Sequence, residues 1–229
     1  MRLFFSLLAC AALVFSGCSL QPRLQSGPDA SVSYDGLTRV DHTAMDEVWI
    51  KAETDFSSYD KVMLQTAEIS YKPVKGNASS VAGYRYGQSE FPLDDKQKQR
   101  LVSIMTEAFT GELKKSNYLT LASVPGPSVL LVKGKLQDVI SKVPPEPMGR
   151  SDVFVSEIGS ATLVLEVYDS QSGTILARSI DKRTAEGFYD LTRVTSINTW
   201  MEVKQEAKRW ARLLRQGLDS VIASGDNSD

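Results

Sequence analysis

The order of its hydrophobic periods constrains the fold of this chain more than any other feature. A period-2 segment at 62–71 sets Val62, Leu64 and Thr66 on one side, which predicts a strand. A helical stripe follows at about 94–115, built from Leu101, Ile104, Met105, Ala108, Phe109 and Leu113. Asp94 and Asp95 at its start and Lys114 and Lys115 at its end match the helix dipole. Strand-like segments come next, at 118–122, 129–139, 161–168 and 174–182. The last two flank Ser170-Gln171-Ser172-Gly173 and predict a hairpin. The final element, about 200–222, carries Val203, Ala207, Trp210, Leu214, Leu218 and Val221 on one stripe. Strand, helix, several antiparallel strands and a helix predict a single α+β domain, a mainly antiparallel sheet with two main helices packed on one face. A right-handed crossover sets 62–71 parallel to 118–122. On this reading loops 142–157 and 187–199 share one end of the sheet, and the loop at 72–93 lies at the other.

Two cysteines occur, Cys10 and Cys18, so the body beyond residue 18 has no means to build a disulfide framework, a thiolate zinc site or a cysteine nucleophile. Of the 229 residues, 42% are hydrophobic and 24% charged, a globular balance. The net charge of -2 excludes the basic footprint of a nucleic-acid binder, so no nucleic acid is expected as partner.

The first eighteen residues carry Arg2, an apolar run from Leu3 to Phe15, and the small residues Ser16 and Gly17 before Cys18. That is the layout of a secretory signal peptide. The run falls short of the roughly 20 residues that span a bilayer core. Phe15-Ser16-Gly17-Cys18 resembles a bacterial lipobox, although Leu is commoner at the position of Phe15. The resemblance implies cleavage before Cys18, diacylglycerol on its thiol and acylation of the new amino terminus, with palmitate as a typical acyl group. The rival Leu7-Leu8-Ala9-Cys10 leaves too short an apolar run before it. Ser19, where inner-membrane lipoproteins typically carry Asp, implies by the same resemblance the outer membrane of a Gram-negative cell, with the domain in the periplasm. The organisation read from the sequence is a signal peptide at 1–17, a lipidated cysteine and flexible tether at 18–33, a domain at 34–223 and a polar tail at 224–229.

Ser58-Tyr59-Asp60-Lys61-Val62, Gly159-Ser160-Ala161, the turn Asp169-Ser170-Gln171-Ser172-Gly173, and 203–218 with Trp210 resemble the DUF3313 family of bacterial lipoproteins. The resemblance runs from about Tyr34 to Leu218. It implies an envelope location and the α+β fold, and it carries no catalytic or binding residue.

The residues offer little chemistry. His42 is the single histidine, and its neighbours Asp41, Asp46 and Glu47 follow no recognised ligand spacing. There is no G-x-S-x-G elbow, no phosphate-binding glycine loop and no cofactor motif. Asp94 and Asp95 read as a helix start. Tyr84, Arg85 and Tyr86 between Gly83 and Gly87 form the candidate interaction segment, since Tyr and Arg recur at interface hot spots. The proline-rich loop 143–150 reads as a connector, and Lys204, Lys208, Arg209, Arg212 and Arg215 as the solvated face of the last helix. The resulting expectation is a non-enzymatic lipoprotein that binds an envelope protein or itself. A small-ligand or glycan binder using Tyr84 and Tyr86 is the alternative, and a hydrolase built around His42 a distant one.

Overall fold

A computed structural model describes residues 21–73, 90–143, 154–186, 192–193 and 196–226. The strands are β1 (Arg23–Leu24), β2 (Thr38–Asp41), β3 (Glu47–Ile50), β4 (Lys61–Tyr71), β5 (Thr120–Leu121), β6 (Val129–Ser141), β7 (Phe154–Val155), β8 (Glu157–Asp169), β9 (Ile175–Glu186) and β10 (Thr192–Arg193). The α-helices among the described residues are α1 (Asp95–Leu113) and α2 (Ser196–Asp226), and Phe56–Ser58 forms a short 3-10 turn. Eight strands form one sheet in the order β1-β2-β3-β9-β8-β6-β4-β5, and β7 pairs with β10 separately. Only β4 pairs in parallel, with β5 and β6; every other pairing in the sheet is antiparallel. The α+β architecture is as the hydrophobic periods predict.

The two helices lie side by side over one face, against Val132, Leu136, Leu163, Leu165 and Val167. Those positions alternate with Lys133, Lys135, Val164 and Glu166, which face away, as the period of 2 requires. On that other face Arg178 pairs with Glu166 at 3.0 Å and with Asp35, and its guanidinium lies 5.3 Å from the Tyr34 ring. The loop carrying Tyr34 and Asp35 thereby leaves Arg178 mostly covered.

Each helix start and turn has a local cause. Asp94 caps α1 by accepting from Gln97 N at 2.7 Å, and Gln97 Oε1 accepts from Asp94 N at 2.9 Å. In the β8–β9 hairpin, Asp169 Oδ1 accepts from Gln171 N and Ser172 N, and Gly173 takes the left-handed φ of 68° that closes the turn. These backbone and side-chain donors hold the Asp169 carboxyl below its usual range, with a further bond from the Tyr59 hydroxyl. Gly159 on β8 runs so close to β6 that a Cβ there would strike the Ile140 carbonyl.

The structure corrects the sequence reading in several places. The connection between β4 and α1 does not sit at the far end of the sheet. Tyr71 lies opposite Val139, Lys72 N donates to Val139 O, and Phe91 bridges to Ser141, so this connection leaves and re-enters at the end where β6 runs out. Because β4 and β6 are parallel, α1 is the return leg, and both strands finish at one edge. Ordered chain begins before residue 34. Part of the expected tether forms β1, and Gln25 Nε2 donates to Asp41 at 2.8 Å. The open edge of β2 offers backbone donors and acceptors that a polar segment satisfies as readily as an apolar one. The helix α2 reaches Asp226, past the start of the expected polar tail. Arg215 does not belong to the solvated face of α2, because it is half-buried and turned to Asp219 at 3.0 Å and to Glu112 of α1. The short strands β2 and β3 carry too few residues to show a period in the sequence.

Candidate binding sites

Two cavities flank α2 beneath its helical layer. The first lies at the end of the sheet where β4, β6 and β9 finish. It has a volume of about 450 Å³ and is lined by Leu101, Ile140, Ile158, Trp200, Val203 and Glu206, among others. The Arg100 guanidinium lies 4.7 Å from the Trp200 ring at this end. Glu206 sits one helical turn after Glu202, so both carboxylates share a face of α2. One buried carboxylate oxygen of each has no hydrogen-bond partner among the described residues. Burial pushes the Glu202 carboxyl up, and the charge of Glu206 adds to that. The pocket mixes apolar side chains with Glu206 and Arg183, which suits a ligand that carries both apolar and polar groups.

Below this pocket sits Asp181, buried at 1% exposure among apolar neighbours. The Trp210 indole N–H donates to its Oδ2 at 2.7 Å, Asp46 N donates to Oδ1 at 3.1 Å, and Arg183 pairs with both oxygens. Asp46 in turn accepts from Lys182 N at 2.9 Å. These partners compensate one buried charge and tie α2, β9 and the entrance to β3 together. The arrangement is structural, since each Asp181 oxygen is engaged within the fold.

The second cavity is a groove of about 590 Å³ alongside the C-terminal half of α2. The helical layer extends to β9, where Trp210 meets Asp181, and the sheet continues outward through β3 and β2. The floor there is Val48, Ile50 and Ala177, and the helical wall is Leu213, Gly217 and Val221. Pro22 and Leu24 stand at the groove's edge.

Of the residues singled out from the sequence, Cys18, Tyr84, Arg85 and Tyr86 lie outside the described residues, as does most of the loop 143–150. Val143 lines the first cavity. His42 is exposed between β2 and β3 at a φ of 58°. Its neighbours Asp41 and Asp46 serve Gln25 and Lys182 rather than a shared centre. Among the described residues no group of three or more His, Cys, Asp or Glu is placed to hold a metal ion, and no helix is long and apolar enough to cross a membrane. Sequence reasoning passes over Asp181, Glu202 and Glu206. A signal for Asp181 exists, because a carboxylate occupies a core-facing strand position opposite Leu163.

Several solved structures are similar to the chain at low identity. A protein from Xanthomonas campestris assigned to the DUF330 family is 10% identical, with a TM-score of 0.44 over 79% of this chain and 94% of that one. A PelC dodecamer from Paraburkholderia phytofirmans is 8% identical, with a TM-score of 0.36 over 72% of this chain and 96% of that one. A neuraminyllactose-binding hemagglutinin homolog from Helicobacter pylori is 12% identical, with a TM-score of 0.37 over 69% and 84%. None of the curated proteins matches the chain in sequence. The family model for proteins of unknown function, DUF3313, matches residues 26–214, which include α1, most of the core-facing stripe of α2 and the β8–β9 turn, and the chain belongs to that family.

Proposed function

We propose that this protein is a non-catalytic binding module of the Gram-negative envelope, anchored by lipid on Cys18 to the outer membrane with its domain in the periplasm. It engages an envelope protein, or a second copy of itself, at the end of the sheet where β4, β6 and β9 finish. The observation that carries this reading is the convergence of three long connections on that end. The chain leaves it at Pro73, Val143 and Glu186, and the connection from Pro73 contains Tyr84, Arg85 and Tyr86. Connections between elements of a rigid scaffold are where binding residues concentrate, and the pocket lined by Glu206 lies at the same end of the sheet. Asp94, Asp169 and Asp181 serve helix capping, turn closure and the compensation of a buried charge. The pocket's volume also suits a small ligand or a sugar, the second reading.

A photoreactive amino acid at Val143, in the full chain in intact envelopes, tests the protein-binding reading. The expected result is one discrete protein adduct, absent when the same group replaces Thr162 on the other face of the sheet. No adduct at Val143, or equal adducts at both positions, contradicts it. A soluble ligand that protects Val143 from labelling instead favours the second reading.

A further inference from the structure

We propose that the groove beside the C-terminal half of α2 houses an acyl chain of the protein's own lipidated Cys18. This rests on the anchor reading above, and it assigns the groove an occupant.

Three small residues make the room. Ala177 and Ser179 line the groove from β9, and Gly217 recesses the wall of α2. A Cβ built on Gly217 meets nothing within 4 Å. Glycine inside a helix costs about 1 kcal/mol relative to alanine, so at Gly217 the chain gives up stability and keeps the groove open. The remaining lining is dominated by Val40, Val48, Ile50, Leu213 and Val221. About 590 Å³ lies within the range of cavities that enclose apolar ligands.

The position of the anchor selects the occupant. Pro22 and Leu24 form the lip of the groove, and Leu24 is left 39% exposed there. Cys18 stands only four positions before Pro22 in the sequence, a reach of at most about 14 Å when extended. A ligand on so short a tether faces the groove at an effective concentration on the order of millimolar. A partner helix free in solution lacks that advantage. Each methylene sheltered from water is worth about 0.8 kcal/mol whether it enters a bilayer or an apolar groove. One chain of a multiply acylated cysteine therefore exchanges between the two, while the others keep the protein on the membrane.

The test uses the acylated mature chain in phosphatidylethanolamine–phosphatidylglycerol vesicles, with a benzophenone amino acid replacing Ser220, an exposed residue of the groove wall. After illumination and digestion, mass spectrometry reads what is attached to the Ser220 peptide. The expected product joins it to the acyl-Cys18 peptide of the same chain. Gly217→Leu, which fills the groove from the wall, lowers its yield at least tenfold without lowering the thermal midpoint. Ala177→Leu does the same from the floor. A phospholipid adduct alone, no adduct, or full yield in both filled variants overturns the proposal. The unilluminated N-terminal peptide is weighed separately. If it carries no acyl mass, the anchor reading itself fails. If it carries the acyl mass but forms no adduct, only the groove's occupant is wrong.

Discussion

Replacing Asp181 by Ala is expected to cost about 3–5 kcal/mol of stability, the usual result of removing one partner from a buried ion pair. The substitution leaves the Trp210 indole N–H, the Asp46 amide and the Arg183 guanidinium without their common acceptor. At this chain length the melting midpoint falls on the order of 10 °C. Asp181→Asn costs less, because an amide oxygen still accepts one hydrogen bond while the charge opposite Arg183 is lost. Urea unfolding followed by tryptophan fluorescence measures both variants. A loss below about 1 kcal/mol for Asp181→Ala would show that water replaces the carboxylate, and that the site is more open than its burial implies.

Glu112→Gln is expected to cost about 1–2 kcal/mol at neutral pH and to flatten the acid limb of stability. Glu112 is 6% exposed at the end of α1, accepts from Lys115 at 2.6 Å and faces Arg215 of α2. The Lys115 hydrogen bond holds its carboxyl below the usual range against burial, and Arg212 and Arg215 add to that. A carboxyl whose value is depressed by folding stabilises the native state above its unfolded value, about 4.3 for Glu. That contribution disappears as pH falls through the folded value. The wild type therefore loses stability below about pH 4.3 more steeply than Glu112→Gln. Lys115 is well exposed, so solvent screening keeps its share small. Parallel acid limbs for the two proteins would place the helix–helix coupling elsewhere, for instance in Ser116 and Asp219, which bond at 2.5 Å.

Much of the scaffold is legible in the sequence, for physical reasons. Long strands and helices repeat their periods often enough to be read. The segments 129–139 and 161–168 show alternating apolar positions because one face meets helices and the other does not. The stripe through Trp210 predicts the buried face of α2, since each member falls within about a helical turn of the next. The short strands β1, β2 and β3 are not legible. They are two to four residues long, too short to repeat a period in the sequence, although β2 alternates buried and half-buried positions. The end at which the connection between β4 and α1 lies is misread from sequence, because it depends on β4 pairing with β6 across α1 and β5, a contact between segments far apart in the chain. The groove is equally out of reach. Ala177, Ser179 and Gly217 are ordinary residues until the sheet is seen to extend past the helices. Asp181 is readable in principle, because a charge at an inward strand position demands partners. Naming those partners requires the fold.

Acyl labelling of the wild type and of Cys18→Ser, followed by separation of inner and outer membranes, decides whether Cys18 carries the anchor. Label is expected to enter the wild type, to be lost in Cys18→Ser, and to travel with the outer membrane. Label that persists in Cys18→Ser, or wild-type protein recovered free of membrane, would contradict that anchor.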